Sequence, residues 1–123
     1  MNAGTGKQQA YRFGHFAETL CAFVLRLKGY RILERRCQTP VGEIDLIARR
    51  GKVLIIVEVK ARSGMGAIEE TLSSRQRRRI ERAALAYQGT RPEYASMDLR
   101  FDLMTVRPWR APRHLPNAWI VGD

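Results

Sequence analysis

Between Gln8 and Lys28, the apolar residues Phe13, Phe16, Ala17, Leu20, Val24 and Leu27 recur every three or four positions, which is the spacing of one face of a helix. Gly29 supplies the stop. In "YRILERRC" the pattern shortens to alternation, and Thr39, Pro40 and Gly42 mark a turn before "EIDLIAR", so two strands follow the helix. Arg50, Gly51 and Lys52 form a second short turn, which predicts an antiparallel hairpin of residues 43 to 49 with 53 to 61. A loop, "RSGMGAIEE", comes next; its two glycines suggest mobility or close approach to a ligand. Ser73 with Gln76 is a capping-box pair, and Leu72, Ile80, Ala83, Ala84 and Tyr87 then fall at helical spacing up to Gly89 and Pro92. "MDLRFDLMTV" alternates once more, with Leu99, Phe101 and Leu103 on one face and Asp98 and Asp102 on the other, so both acids are expected to be structural or exposed. Past it, Pro108, Pro112 and Pro116 predict an irregular tail in which "AWIV" alone could add a short edge strand. The order helix, three strands, helix, strand describes an α/β protein with one sheet and helices packed against it.

Composition narrows the partners. A chain of 123 residues is one domain's length; residues 1 to 7, small and polar, are expected to be disordered and 8 to 123 to fold together. With 22 Lys and Arg against 12 Asp and Glu, the net charge is +10, which suits a polyanion. No stretch approaches the roughly 18 apolar residues of a membrane span, and the N-terminus lacks a secretory apolar segment, so a cytoplasmic protein with no membrane partner is expected. Cys21 and Cys37 lie at no zinc-ligand spacing and read as free thiols.

The hairpin carries the chemistry. On a strand Glu58 and Lys60 point the same way, as do Glu43 and Asp45, and a turn centred near Gly51 brings Asp45 beside Glu58. Two carboxylates that close repel, and an ion beside an apolar strand costs several kcal/mol to desolvate unless compensated. Mg²⁺ compensates well, because it takes one or two carboxylates and leaves its other positions to water and phosphate. Lys60 could polarise a water and stabilise charge on an attacked phosphate. A solvated Glu–Lys pair worth under about 1 kcal/mol is the other reading of the same spacing. Glu18 lies beside Gly14, Cys21, Ala22 and Leu25 around the first helix, where small neighbours admit another element, although an ordinary boundary glutamate fits equally.

Taken together, "FAETLCAFVLRLKGYRIL", "GEIDLIA", "VEVKAR", "RQRRRIERAALAY", "RFDLMTV" and "LPNAW" resemble the YraN-like family of small bacterial proteins over residues 10 to 120. That family is similar to the archaeal Holliday-junction resolvases and to the restriction-endonuclease-like, PD-(D/E)XK superfamily. The resemblance implies a mixed four-stranded sheet flanked by helices and a Mg²⁺- or Mn²⁺-dependent endonuclease acting on DNA, branched or structured DNA included. It assigns Asp45 and Glu58 to the metal, Lys60 to the E-x-K lysine and Glu18 to the acid on the first helix, all four catalytic. Ile44 stands where the superfamily has Pro, which is no metal ligand. A homodimer reaching two strands is a further implication, with no sequence feature fixing its interface.

Arg75, Arg77, Arg78, Arg79 and Arg82 crowd the first half of the second helix, the end where the macrodipole disfavours cations. With Gln76 they form the candidate nucleic-acid face, each arginine able to neutralise a phosphate; Gln76 also has its capping role. A solvated helix face is the bland alternative. Trp109 and Trp119 read either as base-stacking platforms or as cover for a core edge. His15 reads as a boundary residue and His114 as part of the tail. Two rival functions remain: a non-catalytic nucleic-acid-binding module, and a small accessory protein docking on a DNA-processing partner.

Overall fold

The computed structural model describes residues 6–62 and 72–122, with side chains from residue 12 onward. Helix α1 (Gly6–Leu27) leads into strands β1 (Arg31–Gln38), β2 (Glu43–Arg50) and β3 (Val53–Ala61). Helix α2 (Ser74–Gly89), a 3-10 turn at Pro92–Tyr94, and strands β4 (Asp98–Val106) and β5 (Arg113–Trp119) complete the chain. The expected order therefore holds. The expected disorder of residues 1 to 7 falls largely outside the described residues, as does the glycine loop from 62 to 70 except for Arg62.

One mixed sheet holds the strands in the order β1-β2-β3-β4-β5, with β3 and β4 parallel and the other pairs antiparallel. Gly51, at φ +60°, closes the β2–β3 hairpin, a conformation that glycine adopts without strain. A parallel neighbour needs a crossover, which α2 supplies. The sheet has five strands, not four. Its fifth occupies most of the tail expected to be irregular, starting well before "AWIV". Pro116 is compatible with it because β5 is an edge strand, where a proline sacrifices no interior ladder bond.

The helices cover opposite faces. Against α1 pack Leu46, Ala48, Ile55, Val57, Met104 and Val106; against α2 pack Ile44, Ile47, Leu54, Ile56 and Phe101. Leu54, Ile55, Ile56 and Val57 are all fully buried, which is why the central strand reads as an unbroken apolar run. The buried face of α1 is rotated from the one its large apolar residues suggest: Phe16 and Leu27 are 58% and 72% exposed, whereas Ala17, Cys21, Ala22 and Leu25 are fully buried. Small side chains let the helix axis come close to the sheet, and Glu18 is carried inward with them. The capping box at the start of α2 is complete, with Ser73 and Gln76 each accepting the other's backbone N–H. Among the described residues no helix is long and apolar enough to cross a membrane.

Candidate active site at the β2–β3 seam

The acidic residues meet where the sheet comes apart. The β2–β3 ladder runs from Arg50 opposite Val53 to Leu46 opposite Val57 and stops there, while β3 stays paired with β4 as far as Ala61 opposite Val106. Continuing the register would set Asp45 across from Glu58. Instead of a backbone carbonyl, Asp45 Oδ2 accepts the Val59 N–H at 2.8 Å. The carboxylate thus satisfies a donor that the parted ladder would leave bare and is itself fixed in the seam.

Around it lies an open cleft of about 310 Å³ lined by Gly14, His15, Glu18, Arg36, Glu43, Asp45, Val59 and Ala61. Glu18 enters from α1. Its Oε2 accepts from Arg36 Nε at 3.1 Å, and Arg35 Nε lies 3.7 Å from Oε1. Oε1 is buried and has no hydrogen-bond partner. Arg36 reaches Glu18 because its φ is +52°, a left-handed conformation that breaks the strand's alternation and is uncommon for a non-glycine residue.

Glu58 approaches from the other side. Alternation from Leu54 and Ile56 turns Glu58 and Lys60 toward α2, and the Asp45 charge acts on the Glu58 carboxyl. Lys60 Nζ lies 3.6 Å from Glu58 Oε1, with side chains 21% and 15% exposed. Burial, then the Asp45 charge, push the Glu58 carboxyl up to about 7 against the opposing pull of Lys60 and Arg79. Asp45 is also raised, chiefly by burial and with Glu18 adding to it, although the Val59 N–H draws it down. Burial thus draws both carboxyl groups toward their protonated forms. Cys21, beneath them, is pushed up to about 12 by burial and by the charges of Asp45 and Glu18, which leaves an unreactive thiol. Both cysteines are free, as their spacing predicts.

These residues fit a hard cation. Two acids crowded together in a desolvated seam raise each other's cost of ionisation, and a divalent charge offsets that cost. Among the described residues no three His, Cys, Asp or Glu side chains form a ready-made metal cluster. The donor set on offer is the Asp45–Glu58 pair, and one or two carboxylates are what Mg²⁺ asks of a protein.

The sequence-predicted residues are thus brought together to different degrees. Asp45, Glu58 and Lys60 form one group, and Glu18 joins it through Asp45. Of the basic face, Arg79 packs against Gly42 and lowers Glu58. Arg75, Arg78 and Arg82 are exposed on α2, Arg77 is half-buried with Nη2 bonded to Ser74 Oγ, and Gln76 is engaged in the cap. Glu43 shares the Asp45 side as alternation suggests, whereas Arg36 was not singled out by the sequence, and no periodicity announces its left-handed backbone.

A second polar group gathers on β4, where the two acids expected to be structural or exposed divide between those roles. Asp98 is exposed, but Asp102 is fully buried on β4. Its carboxylate accepts from Arg100 Nε and Nη2 at 2.9 and 2.8 Å, from His114 Nε2 at 2.7 Å and from the Asn117 N–H at 2.9 Å. Lys28 Nζ, 2.9 Å from His114 Nδ1, is a donor, which leaves His114 its proton on Nε2 to give to Asp102. Burial raises Asp102, but the bonds from Arg100, His114 and Asn117 overcome it and hold the carboxyl down at about 2. His114 therefore belongs to the folded interior rather than to a loose tail. Trp119 is a core-edge residue, stacked on Phe101 at 5.3 Å and donating to Glu81 Oε2 at 2.9 Å.

Comparison with known proteins places this arrangement in a family. The chain is similar to a UPF0102 protein of Parvibaculum lavamentivorans, 54% identical over 118 residues that cover 96% of this chain and 88% of that protein. It is also similar to UPF0102 proteins of Chelativorans sp., at 52% over 117 residues covering 95% and 94%, and of Paramagnetospirillum magneticum, at 50% over 118 residues covering 93% and 92%. The model of the Uncharacterised protein family UPF0102 matches residues 17–106, a span that takes in Glu18, Asp45, Glu58, Lys60 and Asp102. The chain belongs to that family, the YraN-like family its motifs resemble.

Proposed function

We propose that this protein is a Mg²⁺-dependent nuclease, with a restriction-endonuclease-like core, that hydrolyses phosphodiester bonds in DNA, branched or structured DNA being its preferred form. One observation carries the reading. Asp45 and Glu58 stand on neighbouring strands just past the point where the ladder parts, the Asp45 charge acting on the Glu58 carboxyl, with Lys60 Nζ 3.6 Å from Glu58 Oε1. A sheet needs no such pair for its stability, since like charges in a desolvated site destabilise the fold. Asp45 and Glu58 would hold the cation, which supplies Lewis-acid activation of the scissile phosphate and of the attacking water. Lys60 orients that water and stabilises the charge developing on phosphorus-bound oxygen. Glu18 adds negative charge to the Asp45 side of the cleft, and Arg36 keeps it in place. Arg75, Arg78, Arg79 and Arg82 track the phosphate backbone.

The test is incubation with Mg²⁺ or Mn²⁺ and duplex, single-stranded and four-way-junction DNA. Cutting that EDTA stops, and that Glu58→Ala and Asp45→Ala abolish, is the expected result. Tight, salt-sensitive binding with no cutting and no loss on Asp45→Ala would instead identify a binding module. A stable complex with a DNA-processing protein, without DNA binding, would identify an accessory subunit.

A further inference from the structure

The turn between β4 and β5 carries Trp109 and Arg110, with Arg107 just past the end of β4 and Arg113 opening β5. Trp109 is 100% exposed. Its φ is +65°, and the Arg110 N–H returns to the Arg107 carbonyl at 3.4 Å, so Pro108 and Trp109 are the central residues of a tight turn. Turns with proline second and a left-handed third residue normally take glycine or asparagine there. A bulky residue in that conformation is strained, and such strain clusters at binding sites. Beside the tryptophan a cavity of about 200 Å³ is lined by Thr105, Arg107, Arg110, Ala111 and Arg113.

The turn lies at the same end of the sheet as the acids. Lys60 is opposite Thr105 and Ala61 opposite Val106 in the parallel β3–β4 pair, and the Arg62 N–H donates to the Val106 carbonyl at 2.9 Å. A chain held at the acidic seam would therefore meet this turn as it leaves. An exposed indole beside an arginine-lined cavity matches one chemistry in particular. An unpaired base offers a π-face for stacking, and its flanking phosphates offer charge to the guanidinium groups. Bases inside a duplex are stacked on their neighbours and offer no free face.

We propose that the β4–β5 turn is a second nucleic-acid contact, a clamp for an unpaired nucleotide, in which Trp109 stacks on the base and Arg107, Arg110 and Arg113 hold the adjoining phosphates. The proposal rests on the nuclease reading and deepens it, since it selects DNA with unpaired bases as the substrate. A membrane contact is the weaker chemistry, because a lone tryptophan set among prolines and arginines has no apolar segment to insert with it.

The full chain, kept in EDTA so that nothing is cut, is titrated with fluorescein-labelled oligothymidylate and with a blunt duplex. Trp109→Ala is expected to weaken oligothymidylate binding about tenfold and to change duplex binding less than about twofold. Trp109→Phe keeps most of the affinity, but loses the quenching of tryptophan fluorescence that oligothymidylate causes in the wild type. Arg110→Ala lowers the salt slope on the single strand by about 0.7. Because Trp109 covers no core, these variants fold. Equal oligothymidylate affinity in wild type and Trp109→Ala, or equal loss on both DNAs, overturns the clamp and leaves the nuclease reading standing. So does loss of binding to anionic phospholipid vesicles with oligothymidylate binding intact. Failure of the wild type to bind oligothymidylate overturns the clamp, and the nuclease reading falls with it only if the Mg²⁺ and Mn²⁺ incubations also show no cutting.

Discussion

Replacing Glu58 by Gln tests the acidic seam through the fold itself, without any substrate. In the metal-free protein the Glu58 carboxyl titrates at about 7, against an ordinary 4.5. Between those values the folded protein holds a proton that the unfolded chain has lost, so stability falls as pH rises through that window. The gap corresponds to roughly 3 kcal/mol lost by pH 8 relative to pH 4.5. Asp45, shifted in the same direction, steepens the fall. A glutamine preserves the shape and can still donate to Asp45, but it has no proton to lose. Urea unfolding in EDTA, from pH 5 to pH 8, should therefore find Glu58→Gln increasingly more stable than wild type, with the difference growing by roughly 3 kcal/mol, or about 2 M in midpoint for a domain of this size. Adding Mg²⁺ at pH 8 should raise the wild-type midpoint and leave that of the variant nearly unchanged. A difference that stays constant across the range would refute the raised Glu58 titration, whatever its absolute size.

Two further outcomes follow from particular contacts. Asp102→Asn strips the charge from a fully buried carboxylate that Arg100 and His114 both bond, and should lower stability at pH 7 by about 3 kcal/mol. Because the native carboxyl titrates at about 2 rather than 3.8, its stabilisation is present above pH 4 and lost as pH falls toward 2, so the gap between variant and wild type should narrow in unfolding curves taken from pH 4 to pH 3. Ser73→Ala removes one half of the capping box on α2 and should cost about 1 kcal/mol by urea unfolding, with cleavage of DNA retained.

What the sequence discloses about this fold depends on the distance over which the cause acts. The β2–β3 hairpin and the capping box are local: Gly51 at a turn and Ser73 three residues before Gln76 suffice to place them. Asp45 beside Glu58 follows from alternation and one turn. The buried face of α1 does not, because Phe16 and Leu27 outrank Ala17 and Ala22 in hydrophobicity, while the sheet selects the small side chains for close approach. Arg36 was beyond reach since the glutamate it bonds lies 18 residues earlier and its left-handed backbone breaks the strand's alternation. The same holds for Asp102. An aspartate in an apolar strand reads as structural or exposed until His114 and Asn117 are known to lie on the next strand, and three prolines hid that strand. The family resemblance supplied roles for the acids that spacing alone left open.

The central claim is that Asp45 and Glu58 are built to share a divalent cation, and it is tested most directly by crystals soaked in Mn²⁺ and measured at a wavelength where manganese scatters anomalously. The account predicts one strong peak between the two carboxyl groups at the parted end of the β2–β3 ladder, and its disappearance in Glu58→Gln. A map with no peak there, or with manganese bound only elsewhere, would contradict it.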